Sequence, residues 1–352
     1  MSQILNKKIV LGMSGGTDSS VAAMLLKEAG YEVIGVTFRF YEKDGAQEYL
    51  DDARNLASQL GIKHIVYDAR DVFKEKIISY FIDEYMSGRT PVPCVLCNNY
   101  FKWPLLAKVA DAEGAEMIAT GHYARKVLVD GKFYITAGED PEKDQSFFLW
   151  GLGQELLARI EMPLGSFTKV RVREMAAERG FMRAATKKDS LGVCFCPGDY
   201  RSFLAEYVQE GEISEGFFED SNGKILGKHK GFPYYTIGQR RGLGINFQTA
   251  TFVKELNPET NRVVLAPLSE LYKQEMWLKD YHLINPEQFV SGKEVICKIR
   301  YRKQATPSVV TIVDENTLHV RFLEPLESIA PGQAAAFYEE GCVIGGGIIE
   351  RT

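Results

Sequence analysis

The chain has 352 residues, enough for two or three domains with a full hydrophobic core. Charged residues are 25% and hydrophobic ones 45%, an ordinary balance for a soluble protein, and no run reaches the length of a membrane span. The net charge of −5 excludes a uniformly basic nucleic-acid binder, so any such contact must use local patches.

The first apolar run, residues 9–13, reads as a strand, and no signal-peptide pattern precedes it. A cytoplasmic location is therefore expected. The strand leads into Ser14-Gly15-Gly16-Thr17-Asp18-Ser19. A helix follows, with Val21, Met24, Leu25 and Glu28 at helical spacing and Gly30 as its stop. Two glycines let the backbone turn sharply and approach an anion closely. Hydroxyl groups add donors, and the free N–H groups of a helix start favour phosphate. The common Gly-x-x-x-x-Gly-Lys-Ser/Thr loop is excluded, because no lysine stands here.

Strand and helix then alternate. Residues 31–38 and 62–68 read as strands, 48–60 and 71–86 as helices, 99–113 as a helix and 117–120 as a short buried strand. This rhythm predicts a parallel sheet with helices on both faces, a doubly wound α/β domain. Ligands of such sheets sit beyond the carboxyl ends of the strands. The glycine turn, Phe38 and Gly121-His122 all fall at such ends.

Residues 87–98 interrupt the rhythm. Pro91 and Pro93 argue against helix and central strand, so an exposed loop is expected. Residues 127–137 read as a hairpin around Asp130-Gly131. Lys143-Asp144-Gln145-Ser146 opens a helical stretch, and helices follow near 154–160, 169–179 and 199–208. From about 211 glycines, turns and short β runs dominate, with Ser221-Asn222-Gly223-Lys224 as a hairpin signal. The expected division is residues 1–208 for the α/β domain, 209–272 for a small β-rich domain and 273–352 for a β-barrel. In 295–303, Lys298, Arg300 and Arg302 share one face, and Cys297, Ile299 and Tyr301 the other.

Three basic islands stand out. Lys169, Arg171, Arg173, Arg179, Arg183, Lys187 and Lys188 form the first; Lys228, Lys230, Arg240 and Arg241 the second. Lys298, Arg300, Arg302 and Lys303 form the third. Taken singly, each reads as a solvated face.

Six cysteines are too few for a secreted disulfide scaffold. Four cluster tightly, Cys94 with Cys97 and Cys194 with Cys196; Cys297 and Cys342 read as packing residues. A thiolate attacks sulfur or carbon, and two facing cysteines form and break a disulfide.

The string Gly12–Ser20 resembles the PP-loop of ATP pyrophosphatases, which split ATP to AMP and pyrophosphate while adenylating a carbonyl oxygen. Further blocks extend the resemblance along the whole chain: Thr90-Pro91-x-Pro93-x-x-x-Cys97-Asn98, Ala119-Thr120-Gly121-His122-Tyr123, Lys143–Ser146 and Asp189-Ser190-x-Gly192-Val193-Cys194-Phe195. Gly238-Gln239-Arg240-x-Gly242-Leu243-Gly244, Arg300-Tyr301-Arg302 and Pro331-Gly332-Gln333 complete it. Together they resemble the tRNA-specific 2-thiouridylases, the MnmA family. The fold this implies is an adenine nucleotide alpha hydrolase-like domain, then a small β-rich domain and a C-terminal β-barrel.

The resemblance implies that ATP, with Mg2+, adenylates the oxygen at C2 of the wobble uridine of a tRNA. Sulfur then arrives as a persulfide on Cys194, supplied by a persulfide-carrying donor protein. Cys97 is implied as the nucleophile that helps release it by forming a disulfide. Implied ATP contacts are Gly12, Met13, Ser14, Gly15, Gly16, Thr17, Asp18, Ser19, Phe38 and Gly121. Phe38 departs from the usual methionine. Implied tRNA contacts are Val92, Pro93, Cys94, His122, Lys143, Asp144, Gln145, Arg300, Tyr301 and Gln333. Cys94 stands where the family pattern has aspartate. Three readings of it stay open: an iron–sulfur cluster held with Cys97 and Cys194, a zinc held by all four clustered cysteines, and a spare thiol.

Overall fold

The computed structural model describes residues 7–42, 47–181, 192–196, 198–245, 248–301 and 305–352. Arg183, Lys187, Lys188, the stretch 189–191, Arg302 and Lys303 lie outside the described residues.

The chain forms two compact units. The first comprises residues 1–75, 94–195 and 339–344. Its strands are β1 (Lys8–Gly12), β2 (Glu32–Arg39), β3 (Lys63–Asp68), β4 (Met117–Ala119), the hairpin β5 (Ala124–Val129) and β6 (Lys132–Ala137), and β7 (Ile160–Glu161). Five of these make a parallel sheet in the order β3-β2-β1-β4-β7. Leu11 of β1 is opposite Gly35 of β2 and Ala119 of β4, so β1 is central and its Ile9, Val10 and Leu11 are wholly buried.

Alternation sends successive side chains of β1 to opposite faces. Ile9, Leu11 and Met13 pack with Val21, Ala22 and Met24 of α1 (Thr17–Glu28) and with Val172 and Met175 of the helix Lys169–Glu178. Gly12, on the other face, lies against Leu106 of the helix Trp103–Ala112. Helices therefore cover both faces, as the βαβ rhythm predicts. The strand order reverses between β1 and β4, which opens a crevice at their carboxyl ends.

The stretch expected as an exposed loop is partly helical. Pro93–Leu96 forms a helical turn and continues into a π-helix, Cys97–Lys102. The correction has a simple cause. Proline is tolerated in a first helical turn, where its missing N–H has no partner to lose. Val95 and Cys97 are consequently buried.

The second unit comprises residues 76–93, 196–338 and 345–352. Within it the helix Ser79–Met86 packs on the helix Tyr200–Tyr207, with Tyr85 stacked on Tyr200 at 4.2 Å between ring centroids. β8 (Gly216–Asp220), β9 (Ile225–His229), β10 (Thr251–Asn257) and β11 (Arg262–Pro267) form a four-stranded sheet over Phe218, Val253, Val263 and Leu265. The chain then builds β12 (Tyr272–Leu283), β13 (Lys293–Lys298), β14 (Thr306–Ile312), β15 (Leu318–Glu327), β16 (Ala334–Glu339) and β17 (Cys342–Arg351). These run in the order β12-β15-β14-β13-β16-β17, and pairing of β12 with β17 closes the barrel. Val295, Cys297, Val320, Phe322 and Phe337 fill it. The basic strand expected over 295–303 ends at Lys298. Cys297 and Ile299 are buried as predicted, but Arg300 is half-buried rather than on a solvated face.

Candidate nucleotide and thiol site

The phosphate loop turns because its glycines permit it. Gly15 sits at φ +67°, and a Cβ there would stand 2.6 Å from the Tyr49 carbonyl oxygen. Gly16 caps α1 in an extended conformation. The Ser14 N–H donates to Ser19 Oγ at 3.2 Å, and the Ser20 hydroxyl donates to the Gly16 carbonyl at 2.7 Å. Across the crevice, Gly121 follows β4. A Cβ on it would lie 2.9 Å from the Asp18 carbonyl carbon and 3.0 Å from Ser19 N. The loop after β1 thus lies against Tyr49, and Gly121 against the loop, only because neither glycine carries a side chain. The cradle has the shape a polyphosphate needs, and α1 aims its N-terminus into it.

The cleft above this cradle holds about 590 Å3, within the range of small-molecule sites. Gly12, Met13, Ser14, Asp18, Ser19, Phe38 and Gly121 line it. Gly15, Gly16 and Thr17 form the turn itself. Lys102, His122 and Gln145 line the same cleft, and so do Cys97 and Cys194. Residues far apart in sequence, one set shaped for phosphate and one carrying thiols, therefore share one cavity.

The thiols rest protonated. Burial pushes the Cys97 thiol up to about 12, with Cys194 and Cys94 adding to it and Lys102 opposing. Desolvation likewise raises Cys94 and Cys194, again against Lys102. Cys194 keeps an exposed surface, so a reagent can reach it although its neighbours crowd it. None of the six cysteines is in a disulfide. Among the described residues no three His, Cys, Asp or Glu side chains converge to hold a metal. Cys94, Cys97 and Cys194 feel one another electrostatically but do not form a ligand set in this arrangement.

His122 is buried, its ring stacked over Trp103 at 5.8 Å and its Nδ1 hydrogen-bonded to the Thr120 hydroxyl. Burial, with Lys102 nearby, pulls its pKa down to about 3, so the ring is neutral near pH 7. Gln145 Oε1 accepts from Tyr123 N at 3.0 Å, and Gln145 N donates to the Tyr123 carbonyl at 2.8 Å. Asp144 accepts from Ser146 N at 3.0 Å and from the Ser146 hydroxyl at 2.9 Å, which opens the 3-10 turn Ser146–Leu149. Lys143 is half-buried in the turn that precedes it, its N–H donating to the Asp140 carbonyl at 3.1 Å.

Asp18, expected to serve ATP and its metal, has two partners in this state. Lys169 Nζ donates to its carboxylate oxygens at 2.7 and 2.8 Å, and the Tyr123 hydroxyl donates at 2.7 Å. Lys169 is buried. Sequence reasoning placed Lys169 on a solvated face, passed over Lys102 and quoted Tyr123 only within a matching block, with no role. No local pattern marks Lys102 or the burial of Lys169; the geometric neighbourhood of the loop does.

Of the other expected tRNA contacts, Val92 and Pro93 lead into the helical turn that carries Cys94. In the second unit, Gln333 Nε2 donates to the Thr90 and Pro91 carbonyls at 2.9 and 3.3 Å. Arg300 Nη2 donates to the Ser328 carbonyl at 2.7 Å, and Tyr301 is half-buried beside it in sequence.

Residues 7–198 match the tRNA methyl transferase HUP domain family, 201–267 the tRNA methyl transferase PRC-barrel domain and 273–349 the aminomethyltransferase beta-barrel domain. A relative from Phocaeicola vulgatus, tRNA-specific 2-thiouridylase MnmA 2, is 60% identical over 98% of each chain. Another from Bacteroides fragilis, tRNA-specific 2-thiouridylase MnmA 1, is 59% identical over 99% of this chain and 98% of its own. A Clostridioides difficile relative, tRNA-specific 2-thiouridylase MnmA, is 42% identical over 99% of each. Fold and cleft define a PP-loop enzyme, one that uses a nucleotide at the switch point of a parallel sheet. The chain belongs to the tRNA-specific 2-thiouridylase family, MnmA.

Proposed function

We propose that the protein thiolates the wobble uridine of tRNA, with ATP as the activating substrate and a persulfide as the sulfur source. The observation that carries this reading is the shared cleft: the phosphate loop, Gly121, Cys97 and Cys194 line one cavity. ATP fits the cradle that Gly15 and Gly121 leave open. The uracil O2 attacks the α-phosphate, and pyrophosphate leaves into the loop, where N–H groups and the α1 dipole stabilise it. Mg2+, when bound with ATP, neutralises charge on the phosphates as they separate. The wobble base is single-stranded, so turning it into the cleft costs only a few kcal/mol of lost stacking.

Sulfur transfer then uses the thiols. The terminal sulfur of a Cys194 persulfide attacks C2, and AMP departs with the former O2. Cys97, as thiolate, attacks Cys194 Sγ; the S–S bond breaks and its electron pair stays on the sulfur now bonded to C2. The products are 2-thiouridine and a Cys97–Cys194 disulfide, which an external thiol reductant resets. A donor protein carrying a persulfide loads Cys194, whose exposed surface suits such a hand-over. Val92, Pro93, Cys94, His122, Lys143, Asp144, Gln145, Arg300, Tyr301 and Gln333 are the proposed tRNA contacts. An iron–sulfur cluster on Cys94, Cys97 and Cys194 does not fit the present positions of these side chains, and no step above runs through one. Iron, sulfide and zinc analysis of anaerobically purified protein tests that exclusion.

The deciding experiment is nucleoside mass spectrometry of tRNA from a strain lacking this gene. Loss of wobble 2-thiouridine, restored by the wild-type gene and not by Cys194→Ser, is expected. Unchanged 2-thiouridine would refute the reading.

A further inference from the structure

No chemical step above uses Cys94, yet it stands one helical turn before Cys97. Residues 93–112 are helical without a break: the turn Pro93–Leu96, the π-helix Cys97–Lys102 and the helix Trp103–Ala112. Asn98 Nδ2 donates to the Cys94 carbonyl at 2.9 Å and pins the first turn. Leu96, between the two thiols, keeps right-handed helical angles, φ −57° and ψ −48°. Residues three apart on a helix share a face, with Cα atoms about 5 Å apart. A disulfide spans roughly 4.4–6.8 Å between Cα atoms. Cys94 and Cys97 are therefore spaced for a bridge, although neither is in a disulfide in this state.

Exposure sorts the three thiols. Cys97 is buried, Cys94 is half-buried and Cys194 is exposed. The segment that carries Cys194 is anchored by its next residue. Phe195 is buried, edge-on to Phe73 at 5.7 Å and to Tyr41 at 6.3 Å. Burial raises the pKa of all three thiols, and Cys94 adds to the rise at both Cys97 and Cys194. The three sulfurs thus share one neighbourhood, and Lys102 opposes the rise at each.

The Cys97–Cys194 bridge that ends one turnover obstructs the next, because Cys194 must be a thiol before a donor can load it. Burial shields Cys97 Sγ from a reductant in solution. A solution thiol that attacks Cys194 Sγ frees Cys97 but leaves Cys194 capped as a mixed disulfide. Attack on Cys97 from inside avoids the cap. We propose that Cys94 is the resolving cysteine of this enzyme: its thiolate attacks Cys97 Sγ, the Cys97–Cys194 bond breaks, and the electron pair leaves on Cys194, which takes up a proton. One disulfide is exchanged for another, with no net oxidation. The products are a Cys94–Cys97 bridge on one helical turn and a Cys194 thiol ready for reloading. A dithiol reductant then attacks half-buried Cys94; the reductant is oxidised to its disulfide, and Cys94 and Cys97 return to thiols. Held on the same turn, Cys94 reaches Cys97 at an effective concentration that no solution thiol matches. The proposal rests on the thiolation reading.

The test is one turnover followed by disulfide mapping. Wild-type protein is loaded with glutathione persulfide, desalted, given ATP, Mg2+ and a wobble-uridine tRNA without reductant, and quenched with iodoacetamide. Peptides from an unreduced digest are read by mass spectrometry. The expected products are 2-thiouridine, a Cys94–Cys97 bridge and alkylated Cys194. If 2-thiouridine forms and the bridge is Cys97–Cys194, or one to Cys196, the relay is overturned. In Cys94→Ser the alkylated fraction of Cys194, counted per 2-thiouridine made, is expected to fall at least ~5-fold. A phosphine reductant added before the iodoacetamide should restore it. Alkylation equal to the wild type's on that count overturns the relay, and the count is insensitive to weaker tRNA binding or partial unfolding of the variant. If the wild type makes no 2-thiouridine, the thiolation reading itself fails and takes the relay with it, an outcome read before any bridge is mapped.

Discussion

Cys97 and Cys194, the proposed nucleophiles, are held in their unreactive form. A thiol pushed up to about 12 is a negligible thiolate at pH 7, so the reaction must supply charge compensation. Lys102 is the cation that opposes the rise at Cys94, Cys97 and Cys194. Lys102→Gln is expected to slow alkylation of Cys194 by iodoacetamide several-fold at about pH 8, with the pH dependence of the rate moved upward. Cys194→Ser and Cys97→Ser should each abolish thiolation while ATP-dependent adenylation, read as pyrophosphate release with tRNA present, continues. Loss of both activities together would instead mean the thiols support the nucleotide site.

His122 carries a pH consequence of opposite origin. Its folded-state pKa is about 3, against an unfolded value of about 6.5. Between those values the unfolded chain binds a proton that the folded chain refuses. Stability therefore falls as pH drops below about 6.5, by up to about 1.4 kcal/mol per pH unit. His122→Asn removes this sensitivity. Urea midpoints near pH 7 and near pH 4.5 should converge for the variant more than for the wild type.

At the scale of elements, the phosphate loop is a construction of close approach. Gly15→Ala would force a side chain into the left-handed region and against the Tyr49 carbonyl. The expected cost is about 1–3 kcal/mol in stability, together with a large loss of ATP binding by calorimetry. Gly121→Ala drives a methyl into the backbone at Asp18 and Ser19, and the same two readouts should fall. Gly153→Ala, where the added methyl meets open space at the N-cap of the helix Gln154–Arg159, is the control: it should cost up to about 1 kcal/mol in stability and leave ATP binding unchanged. The π-helix Cys97–Lys102 is the other element on which the proposed chemistry depends. It carries a thiol at one end and Lys102 at the other, both lining the cleft. Such π segments are frequent at functional sites because they re-aim side chains without ending the helix.

For the whole molecule, the chain passes between its two units at residues 75/76, 93/94, 195/196, 338/339 and 344/345. Neither unit is therefore a continuous piece. A fragment ending at residue 208 would keep the helix Ser79–Met86 and the helix Tyr200–Tyr207 but lose the strands that complete their unit. Phe81, Tyr85 and Phe203, buried in the intact protein, would lose that cover. Such a fragment is expected to aggregate on size-exclusion chromatography and to melt well below the full chain. A monomeric fragment with an undiminished melting temperature would show that the first unit folds without help.

What the sequence determined alone is local. Alternating apolar runs, the paired glycines after β1 and the clustered cysteines announced a parallel sheet, a phosphate turn and thiol chemistry, since each rests on spacing within a few residues. The tertiary structure decided what lies across distance. Lys169 reaches Asp18 over 151 residues of chain, Arg300 bends from its strand onto Ser328, and residues 76–93 join the later unit. Periodicity reports which face of an element is buried, but not which distant side chain meets it there. That choice follows from how helices and sheets pack, and it put the thiols and the phosphate cradle in one cleft.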